Sequence, residues 1–273
     1  ADLVILLGGR FSENPSQSYR LLDIPVPKQI LIHIHADINE LNRVYQPDLA
    51  INANPEEFTK ALELVKLKNN WPFQVQQDRA AYLAWRDTSD IELPGLFQMG
   101  KVMDFLNDQL PADSIITNGA GNFATWIHRF YHFRAFATQV APTSGTMGYG
   151  LPAAVAAKHL YPEKTVVCIA GDGDFMMSGE EFATAVQYGI PIIVIILDNS
   201  MLGTIRMHQE MHYPNRGINT ILQNPDFAEY AQAFGGLGFR VETAEEFFEV
   251  WDAVINAQKP TIIHCILDSE ALT

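Results

Sequence analysis

The sequence predicts a parallel-sheet, three-layer α/β fold, and three observations carry that expectation. From Phe97 onward, apolar strand-like runs alternate with helix-like stretches, the order that builds βαβ units. The runs themselves, such as TVVCIA (165–170) and PIIVIIL (191–197), are continuously apolar, as in strands covered on both faces. A glycine–acid–glycine turn, Gly171-Asp172-Gly173, closes the first of them at the edge where open α/β sheets bind ligands.

In order, residues 1–7 read as a buried strand followed by Gly8-Gly9-Arg10. A second strand is expected over 29–35, after Pro25-Val26-Pro27, and a third over 48–53 before a helix from about Pro55. Three strands with few helices are too little for a free-standing doubly wound domain, so residues 1–66 are expected to be the tail of a domain that begins upstream. Residues 67–96 are polar and aromatic, with a helix near 79–86 and Pro94-Gly95 at the end, and read as a linker. Residues 97–273 form the second domain. Its expected helices lie at 102–110, 122–130, 147–159, 226–234 (stopped by Gly235-Gly236) and 244–256. Its expected strands lie at 114–117, 165–170, 191–197, 238–241 and 261–267.

Composition bounds the function. The 273 residues are 48% hydrophobic and 18% charged, an ordinary globular balance with room for a sizeable core. A net charge of −14 argues against nucleic acid and anionic membrane as partners. No run approaches a membrane span and no targeting segment is visible, so the cytoplasm is the expected location. Cys168 and Cys265, each inside an apolar strand, read as buried thiols rather than a disulfide or metal site.

The chemistry concentrates in residues 171–206. Backbone N–H groups of a Gly-Asp-Gly turn can approach a phosphate closely. Asp172 adds a hard oxygen ligand there, and Asn199, at the tip of the next strand, adds a second. Mg²⁺ takes a few such protein oxygens and completes its octahedron with phosphate. In outline this is a diphosphate–Mg²⁺ site.

Gly171-Asp172-Gly173, then 24 residues, then Asp198-Asn199 resembles the signature of thiamine diphosphate (ThDP)-dependent enzymes, with Asp198 standing where the family has a first asparagine. Ser144-Gly145-Thr146-Met147-Gly148-Tyr149-Gly150-Leu151-Pro152 is similar to a second segment of that family, in its acetolactate-synthase-like branch. The resemblance implies Mg²⁺ on Asp172, Asn199 and the Met201 carbonyl. It implies a diphosphate cupped by Gly121, Asn122 and Phe123, and lined by Gly171, Gly173, Asp174, Leu202, Gly203 and Thr204. Around the reacting end of the cofactor it implies the Gly145 carbonyl, Thr146, the Met147 wedge and Ile205. It also implies a 2-oxo-acid substrate, with decarboxylation or carboligation as the reaction.

Other readings stand beside it. Gly119-Ala120-Gly121-Asn122-Phe123-Ala124 fits the dinucleotide fingerprint, a dehydrogenase reading, but no acidic residue lies between Ser114 and Pro162 to bind a ribose. Known acetolactate synthases carry a tryptophan where this chain has His208, which reads either as a polar pocket residue or as a surface histidine. A simple 2-oxo-acid decarboxylase is the alternative within the class, and a non-catalytic ThDP-binding module, for want of the family's proton-relay glutamate in these residues, is the alternative outside it. Arg206 reads as a guide for an acidic substrate or as half of an ion pair, and 208–224 as a lid. Ser178 reads as a helix N-cap with Glu181 at the capping-box position. In the family a glutamate from an N-terminal pyrimidine-binding domain of a neighbouring subunit starts the proton relay. These residues resemble the C-terminal half of a family member, so the chain is expected to act in at least a dimer, a homodimer or homotetramer, and to be silent alone. Residues 1–11 and 32–51 resemble the end of the family's central domain, where some members hold FAD; the sequence leaves FAD open.

Overall fold

Two separate parallel sheets organise the chain, whose computed structural model describes residues 1–66 and 72–271. They belong to two units, Ala1–Gln76 and Gln77–Thr273. Residues 67–71, where the linker was expected to begin, lie outside the described residues.

In the first unit, β1 (Leu3–Leu7), β2 (Ile30–His35) and β3 (Leu49–Asn52) pair in parallel in that order. Helix α1 (Pro55–Leu62) follows, with proline in its first turn and Asn54 accepting the Glu56 N–H as its cap. The expected helix near 79–86 is longer, α2 (Pro72–Trp85). One expectation is corrected here: β1 is not buried. Its side chains alternate across the pleat. Val4 and Leu6 pack onto Leu22, Leu31 and Tyr45, while Ile5 (54% exposed), Ile30 (56%) and Leu49 (50%) share an open face.

The second unit carries a six-stranded parallel sheet in the order β5-β4-β6-β7-β9-β8. The strands are β4 (Ile115–Asn118), β5 (Gln139–Val140), β6 (Val166–Gly171), β7 (Ile193–Asp198), β8 (Leu237–Val241) and β9 (Thr261–Ile266). Helices α3 (Met99–Gln109) and α9 (Ala244–Ile255) cover one face, where Leu106, Phe247 and Trp251 join Val167, Ile195 and Ile263 in one core. On the other face, α4 (Gly150–Leu160), α6 (Glu181–Gln187) and α8 (Phe227–Ala233) bring Ala154, Phe182 and Phe227 against Cys168, Val194 and Ile262. Both faces are thus covered, which is why the central strands β6 and β7 are apolar along their length up to their Gly171 and Asp198 tips. Each fully buried Ile, Val or Leu there contributes about 1.5–3 kcal/mol. Cys168 and Cys265 are both free and buried, as expected. Among the described residues, no helix is long and apolar enough to cross a membrane.

Three local expectations change. Only residues 122–123 are turn; 124–125 are helical and run into a wide π-helical turn, Trp126–Phe130; the Arg86 guanidinium caps it by donating to the Arg129 and Tyr131 carbonyls (3.1 and 3.0 Å). The helix expected from 147 begins at Gly150, because Gly148 is engaged elsewhere: its N–H donates to Asp174 (2.9 Å) and its carbonyl accepts from Ser178 (2.6 Å). Ser178 is therefore no N-cap; α6 starts after Glu180, which makes no side-chain cap bond.

Candidate functional site

The strand order reverses between β4 and β6. From β4 the chain moves outward to β5, and from β6 it moves the other way to β7. A crevice at the carboxyl ends of such a pair is the usual ligand site of a parallel sheet. A cleft of about 240 Å³ opens there, built within the second unit.

The loop after β4 lines it with Gly121, Asn122 and Phe123, and the glycine-rich loop adds Gly145 and Met147. Beyond β6 come Gly171, Asp172, Gly173 and Asp174, with the last three in a single helical turn, α5 (Asp172–Phe175). After β7 come Asn199, Met201, Leu202, Gly203, Thr204 and Ile205, where helix α7 (Gly203–His212) starts. Thr146 is the expected residue that does not line the cleft; its hydroxyl shares a hydrogen bond with Ser144 (2.7 Å). Trp126, Leu197, Leu267 and Ala271 also line it, apolar positions that a motif search has no reason to single out.

Two glycines are required for different reasons. A Cβ at Gly119 would overlap the Asp174 carboxylate. Gly145 sits at φ +66, a left-handed conformation, with nothing near where its Cβ would be, so the backbone there faces open space. Asp174 works for the protein: Oδ1 accepts the N–H groups of Ala120 (3.1 Å) and Gly148 (2.9 Å), tying the β4, β6 and glycine-rich loops together. Burial pushes its carboxyl up to about 6. Thr204 clasps the β4 loop similarly, accepting from the Asn122 N–H (3.0 Å) and donating to its side-chain oxygen (2.9 Å).

Asp172 stands at the tip of β6 beside its parallel neighbour β7. Its Oδ2 accepts from the Met201 N–H (3.2 Å) and from the Asn224 amide (2.7 Å). Burial, and then the charge of Asp198, raise it to about 6. Asp198 is held more firmly. Oδ1 accepts from the Ser200 N–H (2.7 Å) and the Asn224 amide (2.8 Å), and Oδ2 from His264 Nε2 (2.9 Å). Burial pushes the Asp198 carboxyl up, but the bonds from His264, Ser200 and Asn224 together outweigh it and hold the group below its ordinary value. His264 Nδ1 accepts from the Phe227 N–H (3.2 Å), which assigns the ring proton to Nε2. Neither Asn224 nor His264 stands out in the motif. A histidine in the apolar strand IIHCIL is the signal that could have drawn attention to His264; Asn224 gives none beyond its Asn-Pro turn.

The open readings of Arg206 and His208 resolve. Arg206 forms a two-pronged pair with Glu270 (2.7 and 3.0 Å), and His208 is exposed on α7, outside the cleft lining. Nor is the whole of 208–224 free to swing. Backbone bonds from Leu202 to Thr220 (2.7 Å) and from Leu222 to Ser200 (2.8 Å) pin its end to the β7 loop.

The donor set suits a diphosphate with Mg²⁺. Asn199 donates its amide to the Ala271 carbonyl (3.2 Å), which leaves its side-chain oxygen to coordinate. With the Asp172 carboxylate and the Met201 carbonyl this makes a set of hard oxygens with one carboxylate. One carboxylate and two neutral oxygens leave positions on a Mg²⁺ that phosphate oxygens and water would fill. The first turn of α7 supplies Thr204 and Ile205 N–H groups with no partner inside the helix, suited to an anion.

Comparisons with known proteins bear on the cofactor. The chain is 31% identical over 270 residues to the acetolactate synthase isozyme 2 large subunit of Escherichia coli, covering 98% of this chain and 48% of that protein. To the probable acetolactate synthase large subunit of Methanocaldococcus jannaschii it is 29% identical over 283 residues, 99% of this chain and 47% of that protein. To the acetolactate synthase large subunit of Haemophilus influenzae it is 27% identical over 257 residues, covering 90% and 44%. The chain thus spans about half the length of the curated relatives it matches. The family described as "Thiamine pyrophosphate enzyme, C-terminal TPP binding domain" matches residues 119–265, more than half of the sequence and the whole of the cleft apart from its last two lining residues, so the chain belongs to that family of thiamine pyrophosphate enzymes.

Proposed function

We propose that this protein is a ThDP- and Mg²⁺-dependent enzyme of the acetolactate-synthase type, acting on a pyruvate-like 2-oxo acid, with these residues supplying the diphosphate and metal half of its site. The observation that carries the reading is the convergence of Asp172, Asn199 and Met201 at the ends of two adjacent strands, inside a ThDP-family domain. In this assignment residues 97–273 are the diphosphate-binding domain, residues 1–66 the end of a central domain, and 67–96 the linker.

Asp172, Asn199 and the Met201 carbonyl would hold the metal. Gly121, Asn122, Phe123, Gly171, Gly173, Leu202, Gly203 and Thr204 would surround the diphosphate, with Asp174 holding their loops in register. Bound ThDP supplies a nucleophilic carbon and an electron sink for decarboxylation of a 2-oxo acid. The protein's task is placement and shelter. Gly145 offers backbone to the cleft at a φ that few other residues tolerate, Met147 provides a flexible apolar wedge, and Ile205 borders the space for substrate. Trp126 and Leu267 add apolar walls that limit water.

The proton-relay glutamate would come from a pyrimidine-binding domain of the same or a neighbouring chain, in a homodimer or homotetramer. Residues 1–273 alone are then expected to bind ThDP–Mg²⁺ weakly and not to turn over. A cytoplasmic location belongs to the same proposal; FAD in the first unit is left open and is no part of it. The dehydrogenase reading of 119–124 yields to the family match over those residues. A simple decarboxylase is the second reading, favoured by His208 in place of a pocket-shaping tryptophan and by its exposure outside the cleft. The test is turnover of pyruvate by the full-length gene product with ThDP and Mg²⁺, analysed for carbon dioxide, acetolactate and acetaldehyde. Acetolactate supports the first reading, acetaldehyde the second, and no carbon dioxide counts against both.

A further inference from the structure

Asn224 lies outside the recognition motif, 25 residues beyond Asn199 and just ahead of α8, yet its amide touches both acids of the site. One nitrogen, Nδ2, donates to Asp172 Oδ2 at 2.7 Å and to Asp198 Oδ1 at 2.8 Å. Both carboxylates are buried, and without a donor between them they would repel. The bridge is itself anchored. Asp198 is fixed by His264 Nε2 (2.9 Å) and by the Ser200 N–H (2.7 Å), and His264 is fixed by the Phe227 N–H (3.2 Å). An unbroken run of hydrogen bonds therefore leads from the start of α8, through His264 on β9 and Asp198 on β7, to Asn224 and then Asp172. Asp172 has one further donor on the same oxygen, the Met201 N–H, at a longer 3.2 Å. With Oδ2 engaged by both, Oδ1 is the oxygen that neither Met201 nor Asn224 holds.

We propose that Asn224 is a positioning residue for the cation site, orienting the Asp172 carboxylate through Oδ2 so that its other oxygen serves the metal, with the Asp198–His264 pair as the anchor. The inference rests on the reading of Asp172 as a metal ligand. A neutral amide suits the position, because it offers a donor to two acids without adding a charge to compete with a cation. Groups that orient a ligand from behind typically change metal affinity 10–100-fold when removed.

The experiment is a Mn²⁺ titration of the full-length protein with saturating ThDP, with free Mn²⁺ read by electron paramagnetic resonance and the fold by circular dichroism and thermal melting. Wild type, Asn224→Ala and Asn224→Gln are compared. The proposal expects Asn224→Ala to weaken Mn²⁺ binding at least about tenfold while the protein stays folded, and Asn224→Gln, which keeps the amide, to recover part of the loss. Tight binding by wild type with equal affinity in Asn224→Ala overturns the role of Asn224 and leaves the reading of Asp172 intact. Loss of affinity only in step with loss of fold in both variants overturns it as well, since Asn224 would then be merely structural. Absence of Mn²⁺ binding by wild type overturns the reading of Asp172 itself, and the proposal with it.

Discussion

The two sheets of this chain are built from similar apolar runs and end up in opposite situations. LVILL in β1 and IVIILD in β7 read alike as buried strand. In the six-stranded sheet every residue of β7 is buried, whereas in the three-stranded sheet every second residue of β1 is exposed. The difference is helical cover. Five helices sandwich the larger sheet, while Leu3, Ile5 and Leu7 share a face that lies open. The polar residues divide the same way. Asp172, Asp174, Asp198 and His264, all nearly inaccessible, gather in the larger unit and are held by hydrogen bonds from Asn224, from backbone N–H groups and, for Asp198, from His264, whereas the Lys60–Glu56 pair of the smaller unit lies in solvent. A buried polar cluster on a well-covered scaffold is the mark of the site; apolar runs alone are not.

Matched substitutions sharpen that contrast. Ile195→Ala, in the centre of β7, is expected to destabilise by about 4 kcal/mol, the usual cost of a large cavity, while Ile5→Ala costs less than about 1 kcal/mol. Urea denaturation followed by circular dichroism measures both, and equal costs would mean the open face is covered in the folded protein. Next in size, His264→Ala leaves Asp198 buried without its strongest partner and is expected to cost about 3 kcal/mol. Lys60→Ala in the smaller unit, where both partners are exposed, should fall below about 0.5 kcal/mol by the same measurement. The smallest effect is chemical. Burial pushes the Cys168 thiol up to about 12 and Cys265 well above its ordinary value, so neither forms a thiolate at pH 8. Iodoacetamide at pH 8 should label neither in the native protein and both after denaturation; native labelling of Cys168 would mean that the sheet opens.

The sequence made the larger unit legible because one periodicity, one motif and one sheet edge point the same way. Gly171, Asp172, Asn199 and the strands bearing them fall where the spacing puts them, and the cleft gathers the expected residues apart from Thr146. What escaped reading depends on partners distant in the chain. Ser178 has the local pattern of a cap, but a carbonyl 30 residues earlier, that of Gly148, takes its hydroxyl. Asn224 meets Asp172 across 52 residues and His264 meets Asp198 across 66. The openness of β1 escaped for the same reason, since a pleat shows which side chains alternate but not what covers each face.

The central claim is that the carboxyl edge of the larger sheet binds a diphosphate through a metal on Asp172. Isothermal titration of ThDP into the full-length protein, with Mg²⁺ and then with EDTA, in wild type and Asp172→Ala, tests it most directly. The account predicts saturable binding that needs Mg²⁺ and weakens by at least about tenfold in Asp172→Ala, as expected when a cation loses its one carboxylate ligand. Binding of equal strength in EDTA, or in Asp172→Ala with Mg²⁺ present, would contradict it.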